Sequence, residues 1–220
     1  MPTISLTSIP PRFAGLRRTL NSLLRQRPAR IVLVIPHRYV RFPDWDGALP
    51  DIPDGVDLVR GDDHGPASKY LPAIGQAHGD ILIADDDCDY HAGWLDALRA
   101  ARLHHRQAAI AASSFDTARL GLPGGHRIVQ GFAGILLPQS LRCPPLPRSD
   151  SVEFWVDDIW ISAHLAHQKI PILDCPDARA QVGPKKEPAA LQDRVHGGDT
   201  RADLNRKAAH CLRSRLDIWP

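Results

Sequence analysis

A chain of 220 residues, 43% apolar and 24% charged, can bury one substantial core and lacks the composition of a disordered protein. Its formal net charge of +2 is too balanced to point to nucleic acid or an anionic membrane as a partner. No apolar run approaches the roughly 20 residues that span a bilayer, and Met1-Pro2-Thr3 opens without a signal-peptide pattern, so a cytoplasmic protein is expected.

Ile4-Ser5-Leu6-Thr7-Ser8-Ile9 reads as a first strand, stopped by Pro10-Pro11. Leu16, Leu20, Leu23 and Leu24 share one face of a helix over residues 13–26, with Arg17, Arg18 and Arg25 on or near its wet side. Ile31-Val32-Leu33-Val34-Ile35 is a fully apolar second strand. Strand, helix and apolar strand in succession predict a parallel βαβ unit. Residues 43–55 are rich in proline, glycine and aspartate and read as a loop, followed by a short strand at 56–59. Gly61-Asp62-Asp63-His64-Gly65-Pro66 makes a turn into a helix over 67–76, and another helix is expected over 91–105.

Beyond residue 107 the rhythm changes. A small-residue strand at 108–113 is followed by a long strand at 128–137, broken by Gly131 and Gly134. A helix over 156–167 turns Ile159, Trp160, Ala163 and Leu165 inward, and Pro171-Ile172-Leu173 is a last short strand. Residues 181–220 read as a polar tail, weakly helical after Arg201, that is either mobile or a lid. The four cysteines, Cys88, Cys143, Cys175 and Cys211, form no CxxC pair and so no zinc site.

The chain is organised around Ile81-Leu82-Ile83-Ala84-Asp85-Asp86-Asp87-Cys88-Asp89. Such a short apolar run suits a strand buried on both faces, with the carboxylates where it leaves the sheet. Open α/β sheets hold ligands just outside the carboxyl ends of their strands. Like charges this close repel, and a bound divalent cation relieves them. An EF-hand opening at Asp85 fails because Tyr90 would stand where its sharp turn needs glycine. A phosphatase-type DxD with Asp85 as phosphoryl acceptor, the DxD of a nucleotide-sugar transferase, and a plain helix-capping acidic turn all remain open at this point.

Other segments bear on the choice. Ser8-Ile9-Pro10-Pro11-Arg12, Gly65-Pro66-Ala67-Ser68-Lys69-Tyr70-Leu71-Pro72-Ala73, the Asp85-Asp86-Asp87 cluster with Trp94, Gly131-Phe132-Ala133-Gly134 and Asp157-Asp158-Ile159-Trp160 occur in an order that resembles bacterial glycosyltransferases of the GT-A fold, family 2, over residues 3–175. The resemblance implies one α/β, Rossmann-like domain with a mostly parallel central sheet flanked by helices. It spans residues 1–180, with a nucleotide-binding half to about residue 106 and an acceptor half over 107–180. It further implies hexosyl transfer from a nucleotide sugar such as a UDP-sugar to a hydroxyl of a glycan or small acceptor, assisted by Mn2+ or Mg2+.

On that resemblance Thr7, Ser8, Ile9, Arg12, Asp63, Lys69, Asp85 and Asp86 are donor-site residues. Arg12 and Lys69 would face phosphate oxygens, Lys69 near a helix start that itself favours anions. Asp87 and Asp85 would hold the metal, with His196 a candidate contact from the tail. Asp158, with Asp157 beside it, matches the general base that deprotonates the acceptor. Gly131 and Gly134 would admit a sugar against bare backbone, and Phe132 or Trp155 would stack on it. Two rival readings use the same carboxylates or the same fold: a metal-dependent nucleotidyltransferase or phosphohydrolase, and a non-catalytic sugar-nucleotide or glycan-binding module.

Overall fold

Alternate residues of one short strand point into different cores, which is why the apolar runs are unbroken. In a computed structural model, which describes residues 1–74, 79–184 and 198–220, the strands are β1 (Thr3–Thr7), β2 (Arg30–Pro36), β3 (Val56–Gly61), β4 (Ile81–Ile83), β5 (Cys88–Tyr90), β6 (Ala109–Ala111), β7 (Ser114–Asp116), β8 (Arg127–Val129), β9 (Ile135–Leu137), β10 (Ile172–Asp174) and β11 (Val182–Pro184). The helices are α1 (Phe13–Leu24), α2 (Leu71–Ile74), α3 (Trp94–His104), α4 (Asp157–His167), α5 (Pro176–Arg179) and α6 (Arg201–Leu216).

The main sheet has seven strands in the order β10-β6-β9-β4-β1-β2-β3. β4, β1, β2 and β3 are parallel, as are β6 and β10. β9 runs antiparallel to both its neighbours. Leu82 joins Ile4, Leu6 and the inner faces of α1 and α3 in one core; Ile81 and Ile83 join Trp160, Ile161 and Leu165 of α4 in another. Each fully buried side chain of this kind contributes about 1.5–3 kcal/mol. A third cluster joins the outer side of α4, through Ile159 and Ala163, to Leu204, Ala208 and Leu212 of α6. The protein is therefore a mixed α/β, Rossmann-like domain with a mostly parallel sheet flanked by helices, as the sequence led us to expect.

Differences in detail have local causes. The helix expected over 67–76 is a 3-10 segment, Gly65–Tyr70, followed by α2, with 75–78 outside the described residues. Pro72, inside the expected helix, lacks the N–H that a continuous α-helix would need there, whereas Pro66 sits at the start, where none is needed. The long strand expected at 128–137 divides into β8, a 3-10 turn at Gly131–Ala133, and β9. Gly134 lies at φ +110, and a Cβ there would stand 2.5 Å from the Trp94 ring, whose Nε1 donates to the Ala133 carbonyl at 2.8 Å. Gly134→Ala should therefore destabilise the protein by about 2–4 kcal/mol in urea denaturation, combining left-handed strain with overpacking.

The pairs β7–β8 and β5–β11 are additional two-stranded antiparallel sheets that three-residue strands did not announce. After residue 198, Thr200 and Asp203 form a reciprocal cap that starts α6, and Ile218 and Trp219 are buried beyond its end. Among the described residues no helix is long and apolar enough to cross a membrane.

Candidate functional site

The three consecutive aspartates after β4 do three different things. Asp86 turns inward, with 5% of its side chain exposed, and accepts hydrogen bonds from Ser8 Oγ at 2.5 Å and Arg12 Nη1 at 2.6 Å. Arg12 also reaches Asp87 at 3.1 Å, so one guanidinium from the turn after β1 braces the loop after β4. Asp85 and Asp87 keep 28% and 25% of their side chains exposed and face a cavity of about 840 Å³. Burial, then the charge of Asp85, pushes the Asp87 carboxyl up to about 6. Thr19 Oγ1 of α1 lies 2.9 Å from the carbonyls of both Asp86 and Cys88, and the Tyr90 hydroxyl accepts from the Asp85 amide at 2.8 Å. The loop is rigidly held.

Lys69 is the second centre. Its side chain is 3% exposed, and its ammonium pairs with Asp85 and, at 2.9 Å, with Asp157 at the start of α4. Burial acts to lower its pKa, but Asp157 and then Asp85 outweigh that and hold it well above the usual lysine range. Asp158 accepts the Gly131 amide at 2.8 Å. Burial, then the neighbouring charge of Asp157, lifts Asp158 up to about 7. A Cβ on Gly131 would lie 2.9 Å from Lys69 Nζ and 3.1 Å from Asp158 Oδ1, so glycine is what lets this turn close over the cluster. Arg201, the first residue of α6, donates to the Trp155 carbonyl and lies 4.0 Å from Asp157.

Most of the expected site residues line this one cavity. Thr7, Ser8, Ile9, Arg12 and Asp63 form its side toward β1 to β3, and Phe132, Trp155, Asp157 and Asp158 its opposite side. Asp63 also clamps its own loop, accepting from the Val40 and Gly65 amides at 2.7 and 2.8 Å. Gly131 borders the Lys69 cluster, whereas Gly134 packs against the Trp94 ring. Lys69 is consumed by carboxylates and does not extend free toward a diphosphate. His196 lies outside the described residues. Sequence reasoning missed Tyr90, Arg119, Arg179 and Arg206. Only the basic patches of the C-terminal stretch hinted at the last of these.

Asp85 and Asp87 are the residues that could hold a divalent cation. Among the described residues no group of three or more His, Cys, Asp or Glu forms a ready-made cage. Two carboxylates suit Mg2+ or Mn2+, which keeps waters and completes its shell with substrate phosphates. The raised Asp87 carboxyl fits as well, because a cation would relieve the repulsion between the two acids.

No family model and no curated protein matches the chain. Among solved structures, it is similar to HddC from Yersinia pseudotuberculosis, at 10% identity and TM-score 0.44 over 68% of this chain and 83% of that one. It is also similar to the bifunctional IspDF from Campylobacter jejuni, at 14% identity and TM-score 0.39 over 77% of this chain and 43% of that one. The 2-C-methyl-D-erythritol 4-phosphate cytidylyltransferase from Thermus thermophilus matches at 15% identity and TM-score 0.44, over 97% and 100%. None of these is a glycosyltransferase. The expected membership of glycosyltransferase family 2, and hexosyl transfer with it, is corrected accordingly. Likenesses this distant supply no residue correspondence, so the chemistry must come from the site itself.

Proposed function

We propose that this protein is a divalent-metal-dependent nucleotidyltransferase acting on a nucleoside triphosphate. The observation that supports it most is the pair Asp85 and Asp87, partly exposed at the carboxyl end of the central strand and braced from behind by Lys69 and Arg12. In the reaction, an acceptor oxygen attacks the α-phosphorus, the α–β phosphoanhydride bond breaks, and its electron pair leaves with pyrophosphate. Mg2+ or Mn2+, when bound, would neutralise charge on the phosphate oxygens. Asp85 and Asp87 would ligate it, and Arg12 and Lys69 hold those ligands in place before substrate arrives. The backbone and side chains of Thr7, Ser8 and Ile9, with Asp63 nearby, form the wall available to base and ribose. Nucleotidyl transfer is also the activity in the name of the cytidylyltransferase above, at a distance that adds no weight.

The test measures pyrophosphate release from ATP, CTP, GTP and UTP, each with Mg2+ and a panel of sugar phosphates. One triphosphate should yield pyrophosphate, and Asp87→Ala should reduce the rate on the order of 10²–10³-fold. Phosphate release without pyrophosphate would favour a phosphohydrolase. Tight Mg2+-dependent binding of a triphosphate with no turnover would favour a binding module.

A further inference from the structure

Both carboxylates that could hold a metal are already ion-paired. Asp85 holds the Lys69 ammonium, and Asp87 holds one arm of the Arg12 guanidinium at 3.1 Å. Each of these cations also has a second carboxylate, and in each case that one is buried. Lys69 pairs with Asp157 at 2.9 Å and Arg12 with Asp86 at 2.6 Å, the side chains of both acids being only 5% exposed. The ammonium lies beneath Gly131, where an added Cβ would stand 2.9 Å from Nζ, and the lysine side chain is itself buried. If Lys69 gives up Asp85, it therefore falls back on Asp157 and does not swing out into water. An ion pair acts on a metal ligand in two opposite ways. It fixes the carboxylate in place, which favours binding, and it occupies the carboxylate's charge, which opposes binding. Among the described residues Asp85 and Asp87 gain no third His, Cys, Asp or Glu to complete a cage. A cation arriving alone thus wins few ligands for the charge it must take from Lys69 and Arg12.

We propose that Lys69 is an internal counter-cation that a metal must displace from Asp85, so that free metal binds weakly and metal is taken up together with a polyphosphate. The inference deepens the nucleotidyltransferase reading and rests on it for the metal's place at Asp85 and Asp87. Asp157 makes the exchange possible, because Lys69 loosens from one carboxylate without becoming a buried charge that has no partner. Arg12 plays the same part at Asp87, with Asp86 as its other partner. Phosphate oxygens then supply the ligands that the two aspartates lack. The pairing sets an order of entry, metal and triphosphate arriving as one complex.

The experiment is Mn2+ binding to the full chain without nucleotide, read from the paramagnetic resonance signal of the free ion, with melting temperatures taken alongside. Wild type should bind weakly. Lys69→Met/Asp157→Asn, which strands neither charge of the buried pair, should bind at least about tenfold more tightly. Asp157→Asn alone should bind more weakly than wild type, since Lys69 then has Asp85 as its remaining carboxylate partner. Adding Asp87→Ala to the double variant should abolish the gain. Were Lys69 only a brace for Asp85, the double variant would bind more weakly than wild type. That result, or equal binding, overturns the proposal, while Asp87-dependent Mn2+ binding in wild type would leave the metal site standing. If Mn2+ binding depends on Asp87 in no variant, the metal reading fails and the proposal falls with it. A second measurement needs no variant. Mn2+ and inorganic tripolyphosphate together should raise the wild-type melting temperature by more than the sum of their separate shifts, and full stabilisation by Mn2+ alone overturns the proposal.

Discussion

Lys69→Met is expected to lower the melting temperature by roughly 6–20 °C, corresponding to about 3–5 kcal/mol for removing one partner from a buried ion cluster in a domain of this size. Methionine fills much of the same space, so the loss reports on charge more than on packing. Without the ammonium, Asp157 stays buried beside Asp158, with Arg201 4.0 Å away, and Asp85 loses its partner. Lys69→Met/Asp157→Asn should recover much of the loss, because the amide removes the stranded charge. A single variant that melts like wild type would show that the lysine does not hold the cluster together.

In EDTA-containing buffer, stability should fall as pH rises from about 4 to about 7. The carboxyls of Asp158 and Asp87 are raised in the folded protein to about 7 and about 6, from an ordinary value near 3.8. Between those limits these two carboxyls hold more protons in the native state than in the unfolded chain, so each step up in pH favours unfolding through them; His164, which burial lowers to about 4, acts in the opposite sense below about 6.5 and offsets part of the fall. For Asp158 the displacement is worth on the order of a few kcal/mol. Lys69, held above the usual range, gives stability that is lost only in strong alkali, outside this window. Asp116 and Asp203 are lowered by hydrogen bonds to their carboxylates and act only in the acid range, below their ordinary values. Asp158→Asn keeps an oxygen for the Gly131 amide but cannot ionise. Its melting temperature should exceed that of wild type at pH 8 by several degrees, and the two should converge near pH 4. Parallel curves would mean that Asp158 titrates normally.

Much of the site was legible because its residues follow the ends of recognisable elements. The apolar run before Asp85 marked β4, the Pro-Pro stop after β1 marked the turn carrying Arg12, and the acidic pair at 157 and 158 marked the start of α4. What periodicity could not show was which carboxylate faces which way. Asp86 is buried because Arg12 and Ser8, 74 and 78 residues away in sequence, meet it in space. The cavity-lining places of Arg119 and Arg179 were hidden for the same reason. Arg119 and Arg179 sit in short segments without helical or strand rhythm, and their shared cavity exists only once α6 has docked. Order of motifs misled where it was read as family membership, since a βαβ start and an acidic strand end are demands of the fold on many chemistries.

The direction of β9 has a consequence for how this site can be altered. Because β9 enters the sheet opposite to β4, the segment arriving at Ile135 and the segment departing from Ile83 meet at the same edge. The Tyr90 hydroxyl ties the two together, accepting from the Asp85 amide and donating to the Phe132 carbonyl. The cleft can thus be refitted for a new guest through the side chains of Gln130 and Phe132, which line it, while Gly131 stays glycine against Lys69 and Asp158 and the aspartates keep their places.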